Sequence, residues 1–274
     1  MPNSSNAWEL IANDYDELWN FPQCVGAIDG KHIVMQAPFN SGTEYFNYKG
    51  SFSVVLLAAV DAHYCFIFAS IGCQGRISDG GVFNNSILAK KILNESLNLP
   101  SPKALPGQQE KSPYVFVCDD AFPLKENLMK PFPGTYLRGS PQRAFNYRLS
   151  RARRVVENTF GIMASVFRVL RKPSLLQPEK INSIVLACVH LHNFLRRSES
   201  SKNLYCPPDI FDTEDFENRT LKKGTWRSDS SETTSLLPLK KCGRKSTAAA
   251  HETRERFARY FATTGRVYWQ DEFE

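Results

Sequence analysis

Several signatures of common enzyme classes are missing from this chain of 274 residues. It has no Walker loop, no GxSxG elbow and no dinucleotide-binding fingerprint, so neither nucleotide hydrolysis nor serine catalysis is indicated. It also has no internal repeat of roughly 20 to 50 residues. A composition that is 42% hydrophobic and 23% charged excludes a disordered, collagen-like or disulfide-scaffold protein.

Export and membrane signals are absent as well. The first fifteen residues have neither a basic start nor a continuous apolar stretch, so we expect no secretory signal and a protein that stays inside the cell. Seven cysteines, an odd number with no CxxC pair, favour a reduced intracellular compartment. Because Asp61 and His63 interrupt the apolar run from Val54 to Cys73, this run predicts a soluble β-hairpin and no membrane association.

The pattern of apolar residues predicts a mixed α/β protein. Strands are predicted over Cys24–Asp29, over His32–Ala37 and in both arms of the hairpin, and this pattern predicts three antiparallel strands in one sheet. A helix is predicted after Ser78 as its N-cap, and a strand is predicted in YVFVCDD. Further helices are predicted over 142–171 and 179–197, and a short one near the carboxyl end.

Changes in composition predict four segments. Residues 1–22 form a short lead-in, 23–197 the main domain, 198–250 a polar and mostly irregular, mobile segment, and 251–274 a helical tail. The chain carries 34 Lys and Arg against 28 Asp and Glu, a formal charge of +6. This surplus mildly favours polyanionic partners.

Two acids follow directly on predicted strands. Asp29 ends CVGAID and Asp119 ends the strand in YVFVCD, and side chains at the carboxyl ends of strands line the clefts of α/β sheets. The alternative is structural, since Asp is a common turn residue where a strand stops.

A third acid, Glu157, stands alone in a basic segment. Between Arg138 and Lys172 there are nine basic residues and one acid. Glu157 could simply form a helical ion pair with Arg153 or Arg154. However, its neighbours along the same row of the helix, Gly161 and Ala164, are small, so another group could approach it closely.

Carboxylates that converge in a basic cleft have a specific chemical use. One or two carboxylates and substrate phosphate oxygens can hold Mg²⁺, and two such ions would promote in-line displacement at phosphorus. Arginines of the basic segment would then bind the DNA backbone, and we assign this role to Arg143, Arg148, Arg151, Arg153 and Arg154. The alternative is that some of them pair with acids of the carboxyl-terminal segment, for example Glu214, Asp215 or Glu217.

An ordered series of motifs resembles one known family. FPQCVGAIDGKHI, YFNYKGSFSVVLLAAVDAH, SDGGVF, VFVCDDAFPL, AFNYRLSRARRVVENTFGI and LACVHLHNF are similar to successive motifs of the PIF/Harbinger DDE transposases. The similarity covers roughly residues 21–197, and RYFATTGRVYWQ resembles the carboxyl end of that family. Within the family, the resemblance is strongest to domesticated members, the Harbinger-transposase-derived nucleases.

The resemblance implies a ribonuclease-H-like fold, in which three antiparallel strands are continued by parallel ones and flanked by helices. It implies that Asp29, Asp119 and Glu157 are catalytic and that these three acids and Asp79 bind Mg²⁺ or Mn²⁺. For Asp79 the alternative is a favourable charge in the first turn of a helix. The adjacent Asp120 is a rival carboxylate, but on a strand it should point to the opposite face from Asp119.

The same resemblance implies a metal-dependent DNA endonuclease that no longer transposes autonomously. The alternative is a catalytically inactive DNA- or chromatin-binding protein with the transposase fold. Only about twenty residues precede the first predicted strand, so we expect a separate Myb-like or SANT-like protein to assist DNA recognition. A homodimer and a location in the nucleus, or also in the cytoplasm, are expected, and KKCGRK at 240–245 is either a nuclear signal or a solvated linker.

His190 and His192 are weaker candidates for a metal pair. Two residues apart on a helix, they should point to different faces, so each is better explained as a satisfied buried histidine.

Overall fold

A computed structural model describes residues 1–77, 79–215, 220–229, 235–239 and 246–270. The basic KKCGRK segment at 240–245 and Glu217 lie outside the described residues. No helix in the described part of the chain is long and apolar enough to cross a membrane.

The described residues contain ten strands and eight α-helices. The strands are β1 (Cys24–Met35), β2 (Phe52–Val60), β3 (Phe66–Gln74), β4 (Lys103–Ala104), β5 (Lys111–Ser112), β6 (Val115–Cys118), β7 (Leu128–Met129), β8 (Thr213–Asp215), β9 (Thr220–Lys222) and β10 (Leu236–Pro238). The helices are α1 (Ser5–Trp19), α2 (Asp79–Asn85), α3 (Ile87–Leu93), α4 (Pro141–Val166), α5 (Pro178–Arg197), α6 (Lys202–Tyr205), α7 (Trp226–Asp229) and α8 (Ala248–Ala262).

The central sheet has the strand order β3-β2-β1-β6-β7, and β10 is also paired with β1. β1, β2 and β3 are antiparallel neighbours, whereas β6 runs parallel to β1 and β7 runs parallel to β6. This mixed sheet, flanked by helices, confirms the predicted fold class, and its order fits the ribonuclease-H-like arrangement.

The first strand is longer than predicted. Cys24–Asp29 and His32–Ala37 were expected as separate strands, but β1 continues without a break across Gly30 and Lys31. Pairing with β2 extends over this junction from Ala27 to Met35, and it holds the two halves in one strand. The predicted hairpin is confirmed: the Asp61 carboxylate caps its turn by accepting hydrogen bonds from the backbone N–H groups of His63 and Cys65.

Helices cover both faces of the sheet. On one face, α4, α5 and α8 form a core with alternate residues of the strands, in which Phe145, Phe160 and Phe257 are buried. On the other face, Phe83 of α2 and Leu88 of α3 are part of a second core. The predicted helix after Ser78 is therefore two short helices, because Ser86 begins a new helix by accepting a hydrogen bond from the Ala89 N–H. Ser78 itself lies outside the described residues.

The carboxyl-terminal third packs against the main domain. As predicted, the segment ends in a helix, and Phe257 and Phe261 of α8 are fully buried against the core. Residues of the segment expected to be irregular and mobile form several short elements, of which β10 pairs with β1 through Leu236–Pro238. This segment thus extends one edge of the first strand.

The amino-terminal helix α1 was not predicted. Ser4 caps it, and Trp8, Ala12, Tyr15 and Trp19 recur along its buried side. The Tyr15 hydroxyl donates to the Val60 carbonyl over 2.8 Å, and the Trp8 indole N–H donates to the Leu97 carbonyl over 2.7 Å. The lead-in is consequently part of the core.

The burial of α1 predicts a large difference between two of its residues. Trp8→Ala should lower the free energy of unfolding by about 3–5 kcal/mol, because it opens a cavity in the core. Leu10→Ala should change it by less than about 0.5 kcal/mol, since Leu10 is 58% exposed. Urea unfolding followed by circular dichroism measures both values. Equal, small effects would show that α1 is not integral to the fold.

Candidate functional site

The pairing of β1 with β6 places two acids side by side. In this parallel pair, Ile28 lies opposite Cys118, so Asp29 and Asp119 come next on neighbouring strands. Alternation along the strands puts both acids on the same face as Ala27 and Val117, which belong to the core beneath α4. Asp119 follows the last residue of β6, so the register makes it the neighbour of Asp29, and the charge of Asp29 acts on it.

Helix α4 brings the third acid to this face. Val156 and Phe160 are buried against the sheet, and Glu157 lies at the edge of that buried face. Its side chain is 37% exposed, and its Oε1 accepts a hydrogen bond from Arg153 Nη2 over 3.0 Å. The helical ion pair between Arg153 and Glu157 is thus present. This pair also lies on the helix that packs against the sheet.

Two basic side chains interact with the three acids. Lys31 Nζ lies 2.8 Å from Asp29 Oδ2, and only 19% of its side chain is exposed. Burial on its own lowers the pKa of Lys31, but the charges of Asp29, Glu157 and Asp119 together raise it above its ordinary value.

Arg153 experiences the same three charges. Burial disfavours its charged form, whereas Glu157, Asp29 and Asp119 raise its pKa. The three predicted acids therefore act on one common pair of cations, Lys31 and Arg153. Lys31 was missed in the sequence, although its spacing of two residues from Asp29 on a strand was the available signal.

The carboxyl of Asp119 has an unusual environment. Burial raises its pKa, and the neighbouring charge of Asp29 raises it further. Arg153, the Ala121 backbone N–H and Lys31 oppose this effect, and that N–H donates to Asp119 Oδ1 over 2.9 Å. A carboxylate that repels its neighbour and is mostly enclosed is typical of a functional site.

The donor set of this pair fits a magnesium-type ion. Asp29 and Asp119 supply hard oxygen atoms at adjacent strand positions, and Mg²⁺ needs only one or two carboxylates in addition to waters and phosphate oxygens. A closed cage is not formed: within the described residues there is no group of three or more His, Cys, Asp or Glu side chains that could hold a metal. Instead, Lys31 pairs with Asp29 and Arg153 pairs with Glu157.

Two further acids, Asp79 and Asp120, were candidates in the sequence. The backbone of Asp79 is in α2, but its side chain is not among those described, so its metal role stays a prediction. Asp120 Oδ1 lies 3.6 Å from Lys130 Nζ, and its side chain is 36% exposed.

Asp29 lies where two strands share one edge of β1. Pairing with β6 ends at Ile28, and pairing with β10 begins at Lys31. Leu239, just after β10, fills the gap so closely that a Cβ on Gly30 would lie 2.2 Å from its Cδ1 atom. The Gly30 N–H, in turn, donates to Asp29 Oδ1 over 2.8 Å. This junction was not foreseen, because it depends on residues more than 200 positions apart.

Two of the five predicted DNA-binding arginines are enclosed by the protein. Arg148 is 2% exposed, and its guanidinium donates to the carbonyls of Asn20 and Gly265 and to Gln270 Oε1. Arg151 is 8% exposed and donates to Glu214 Oε2 over 2.7 Å and to Asn20 Oδ1. Because a phosphate cannot reach these groups, their predicted role in DNA contact does not fit the structure.

The alternative, ion pairs with acids of the carboxyl-terminal segment, is observed for Glu214. Its carboxylate accepts from Arg151 and lies 3.0 Å from Arg154 Nη2. Arg153 pairs with Glu157, and Arg143 donates to the Tyr136 carbonyl over 3.4 Å. Much of the positive charge of α4 is therefore used inside the protein.

Gly161, the small residue in the same row of α4 as Glu157, is covered by Trp226 of α7. A Cβ on Gly161 would lie 2.2 Å from the indole of Trp226, whose N–H donates to Asn158 Oδ1 over 2.9 Å. The guanidinium of Arg227 lies 4.3 Å from the same indole and also acts electrostatically on Glu157. The close approach predicted from the small side chain is thus made by α7.

The two histidines of α5 differ from each other. His192 is fully buried, and its ring nitrogens bond to the Tyr205 hydroxyl and the Tyr64 carbonyl, as expected for a satisfied core histidine. His190 is exposed, which corrects the prediction that it is also buried. The exposed face of α5 accounts for this difference, because the two residues point in different directions.

The chain is similar to one known family and to several individual proteins. A family model described as DDE superfamily endonuclease matches residues 28–193. The chain is 27% identical over 188 residues to "Protein ALP1-like" from Arabidopsis thaliana, which is 68% of this chain and 46% of that protein. It is also 27% identical over 199 residues to mouse "Putative nuclease HARBI1", which is 70% of this chain and 51% of that protein. The chain spans about half the length of these relatives, and no solved structure matches.

The burial of Arg148 predicts a role in stability. Arg148→Ala should lower the free energy of unfolding by about 2–4 kcal/mol, because it leaves buried carbonyl groups without their donor. The exposed Arg168 of the same basic segment is the matched control, and Arg168→Ala should have little effect. Urea unfolding measures both. A fully stable Arg148→Ala protein would contradict the structural assignment.

The buried His192 predicts a pH dependence of stability. Burial lowers its pKa to about 4, so the unfolded chain, with a pKa near 6.5, binds a proton first as the pH falls. Its contribution is complete above about pH 6.5 and is lost as the pH falls towards 4. In His192→Gln, the loss of unfolding free energy between pH 7 and 4.5 should be smaller by about 2–3 kcal/mol.

Urea unfolding at the two pH values tests this prediction, and His190→Gln on the same helix is the control. That variant should keep the full pH dependence of the wild type. If the two variants behaved alike, the titration of His192 would not be the cause.

Proposed function

The chain belongs to the DDE superfamily endonuclease family, and on this premise we propose that it is a divalent-metal-dependent nuclease that hydrolyses phosphodiester bonds in DNA. The observation that carries the proposal is the adjacency of Asp29 and Asp119 on the face covered by α4. Asp119 also caps the turn after β6 by accepting from the Ala121 N–H. That turn role does not require a second enclosed carboxylate, Asp29, next to it.

Asp29 and Asp119 would hold the metal, and the assignments of Glu157 and Asp79 as further ligands belong to the same proposal. When bound, Mg²⁺ or Mn²⁺ would polarise the phosphate and lower the pKa of a coordinated water. The enclosed position of Asp29, with 4% of its side chain exposed, favours fixed oxygen donors over mobile ones.

Glu157 has a different exposure and therefore a different proposed task. Because 37% of its side chain is exposed, its second carboxylate oxygen, Oε2, would take a proton from the attacking water. Arg153 holds the other carboxylate oxygen, Oε1, by donating a hydrogen bond to it. The water oxygen would then form a bond to phosphorus while the bond from phosphorus to O3′ breaks. O3′ would take a proton from solvent water to become a 3′-hydroxyl, the attacking oxygen would stay on the 5′-phosphate, and Glu157 would release its proton to solvent.

Recognition of DNA is a further part of the proposal. Arg143 remains a candidate for phosphate contact. Arg153 and Arg154, with 14% and 13% of their side chains exposed, would have to share their charges with Glu157 and Glu214. A Myb-like or SANT-like partner protein, a homodimer and a nuclear location are proposed from the resemblance of the motifs alone. The curated relatives extend well beyond the matched region, so contacts outside it belong to this proposal too.

The second candidate function, DNA or chromatin binding without catalysis, is not favoured by the site. A binding protein would gain from the loss of acids near phosphate, because clustered negative charge repels the nucleic acid backbone. Instead, Asp29 and Asp119 are kept together although the charge of one raises the pKa of the other.

The proposal predicts that each acid is needed for cleavage but not for binding. Asp29→Asn, Asp119→Asn and Glu157→Gln should each lower the rate of cleavage by about a hundredfold or more. Their affinity for DNA should be equal to or higher than that of the wild type, since each variant removes a negative charge. A fluorescent duplex with Mg²⁺ or Mn²⁺ measures cleavage, and fluorescence anisotropy with Ca²⁺ measures binding.

Asp120→Asn is the matched control, because Asp120 is the neighbour of Asp119 and pairs with Lys130. It should cleave at the wild-type rate. Wild-type protein that binds the duplex but shows no metal-dependent cleavage would favour the second candidate function. Cleavage by Glu157→Gln at the wild-type rate would exclude Glu157 from the mechanism.

A further inference from the structure

Lys31 pairs with Asp29 and interacts electrostatically with the other two members of the acidic cluster, which consists of Asp29, Asp119 and Glu157. It follows Asp29 by two residues on β1, so both side chains lie on the face covered by α4. Its ammonium is 2.8 Å from Asp29 Oδ2 and 5.6 Å from the centre of the Phe160 ring of α4. This places a positive charge between the strand and the helix that carry the acids.

The position resembles the one that a divalent cation would take. An ammonium group offers three donors and one positive charge to surrounding oxygen atoms. Lys31 interacts with the charges of Asp29, Asp119 and Glu157, which are the acids assigned to the metal. An ion bound by Asp29 and the ammonium bonded to Asp29 would therefore repel each other at close range.

We propose that Lys31 is a displaceable counter-ion of the metal site: its ammonium neutralises Asp29 in the metal-free protein and leaves that carboxylate when a divalent cation binds. The inference rests on the proposed function, because it requires the metal site at Asp29 and Asp119. Its consequence is that Lys31 lowers the affinity of the protein for the metal while it keeps the free acids together.

The chemistry of lysine suits this role better than that of arginine. Its ammonium is a compact charge on a flexible stem of four carbons, whereas Arg153 is held by a hydrogen bond to Glu157. When displaced, the ammonium remains tethered to β1 beside the two aspartates. It would then be free to approach the phosphate of a substrate, so that one residue serves the empty and the occupied site.

Metal titration without DNA tests the inference. Lys31→Met keeps the length of the apolar stem but removes the charge, and it should bind Mn²⁺ about tenfold more tightly than the wild type. Lys130→Met is the matched control, because Lys130 is a similarly enclosed lysine paired with the neighbouring Asp120. It should bind Mn²⁺ with wild-type affinity. Electron paramagnetic resonance of free Mn²⁺ gives these affinities, and circular dichroism verifies the fold.

A second measurement uses only the wild-type protein, so it does not depend on whether a variant folds. The rate at which an amine-acylating reagent modifies Lys31, followed by mass spectrometry, should rise several-fold when Mg²⁺ saturates the protein. The rate for Lys130 should not change.

Two kinds of failure can be told apart. If wild type and Lys31→Met bind Mn²⁺ equally, or if Mg²⁺ leaves the acylation of Lys31 unchanged, then Lys31 is not displaced and the inference is wrong. If neither wild type nor Lys31→Met shows saturable binding of Mn²⁺, the proposed metal site, and with it the proposed function, is wrong.

Discussion

The parallel pairing of β1 with β6 is the constraint on which the rest of the site depends. The register that sets Ile28 opposite Cys118 fixes Asp29 and Asp119 as neighbours, and a shift by one residue would turn either acid to the other face. Burial raises the pKa of Asp119, and repulsion from the enclosed Asp29 carboxylate raises it further. Nearby positive charge must balance them, and the sheet and α4 each supply one such group, Lys31 and Arg153.

The same need for balance explains how α4 uses its basic residues. A helix with so many arginines cannot bury one face against a sheet unless acceptors are brought to it. The chain provides them from both ends: Asn20 from the end of α1, and Glu214 and Gln270 from the carboxyl-terminal segment. These contacts attach both ends of the chain to the helix that carries Glu157. Stability and site geometry therefore depend on the same element.

The sequence allowed the order of strands and helices and the two strand-end acids to be predicted, because these depend on local periodicity. Helix α1 also had a readable signal, since Trp8, Ala12, Tyr15 and Trp19 recur at helical spacing after the capping Ser4. Other features had no local signal. The enclosure of Arg148 depends on carbonyl groups at Asn20 and Gly265, and the cover over Gly161 depends on Trp226. Charge counts along one helix cannot distinguish a surface that binds DNA from a surface that binds the rest of the chain.

A cluster of enclosed acids needs a nearby positive charge if the protein is to fold stably. Carboxylates that bind a metal well must lie close together, yet without the metal their repulsion opposes folding. A cation built into the chain reduces this repulsion before the metal arrives, and it reduces the affinity for the metal for the same reason. Strand alternation gives two positions on β1, 27 and 31, from which a side chain can reach Asp29 on the same face, and position 27 is a buried alanine. In the proposed mechanism, the lysine at position 31 would meet both requirements, because its charge would neutralise Asp29 and its flexible stem would let that charge move aside.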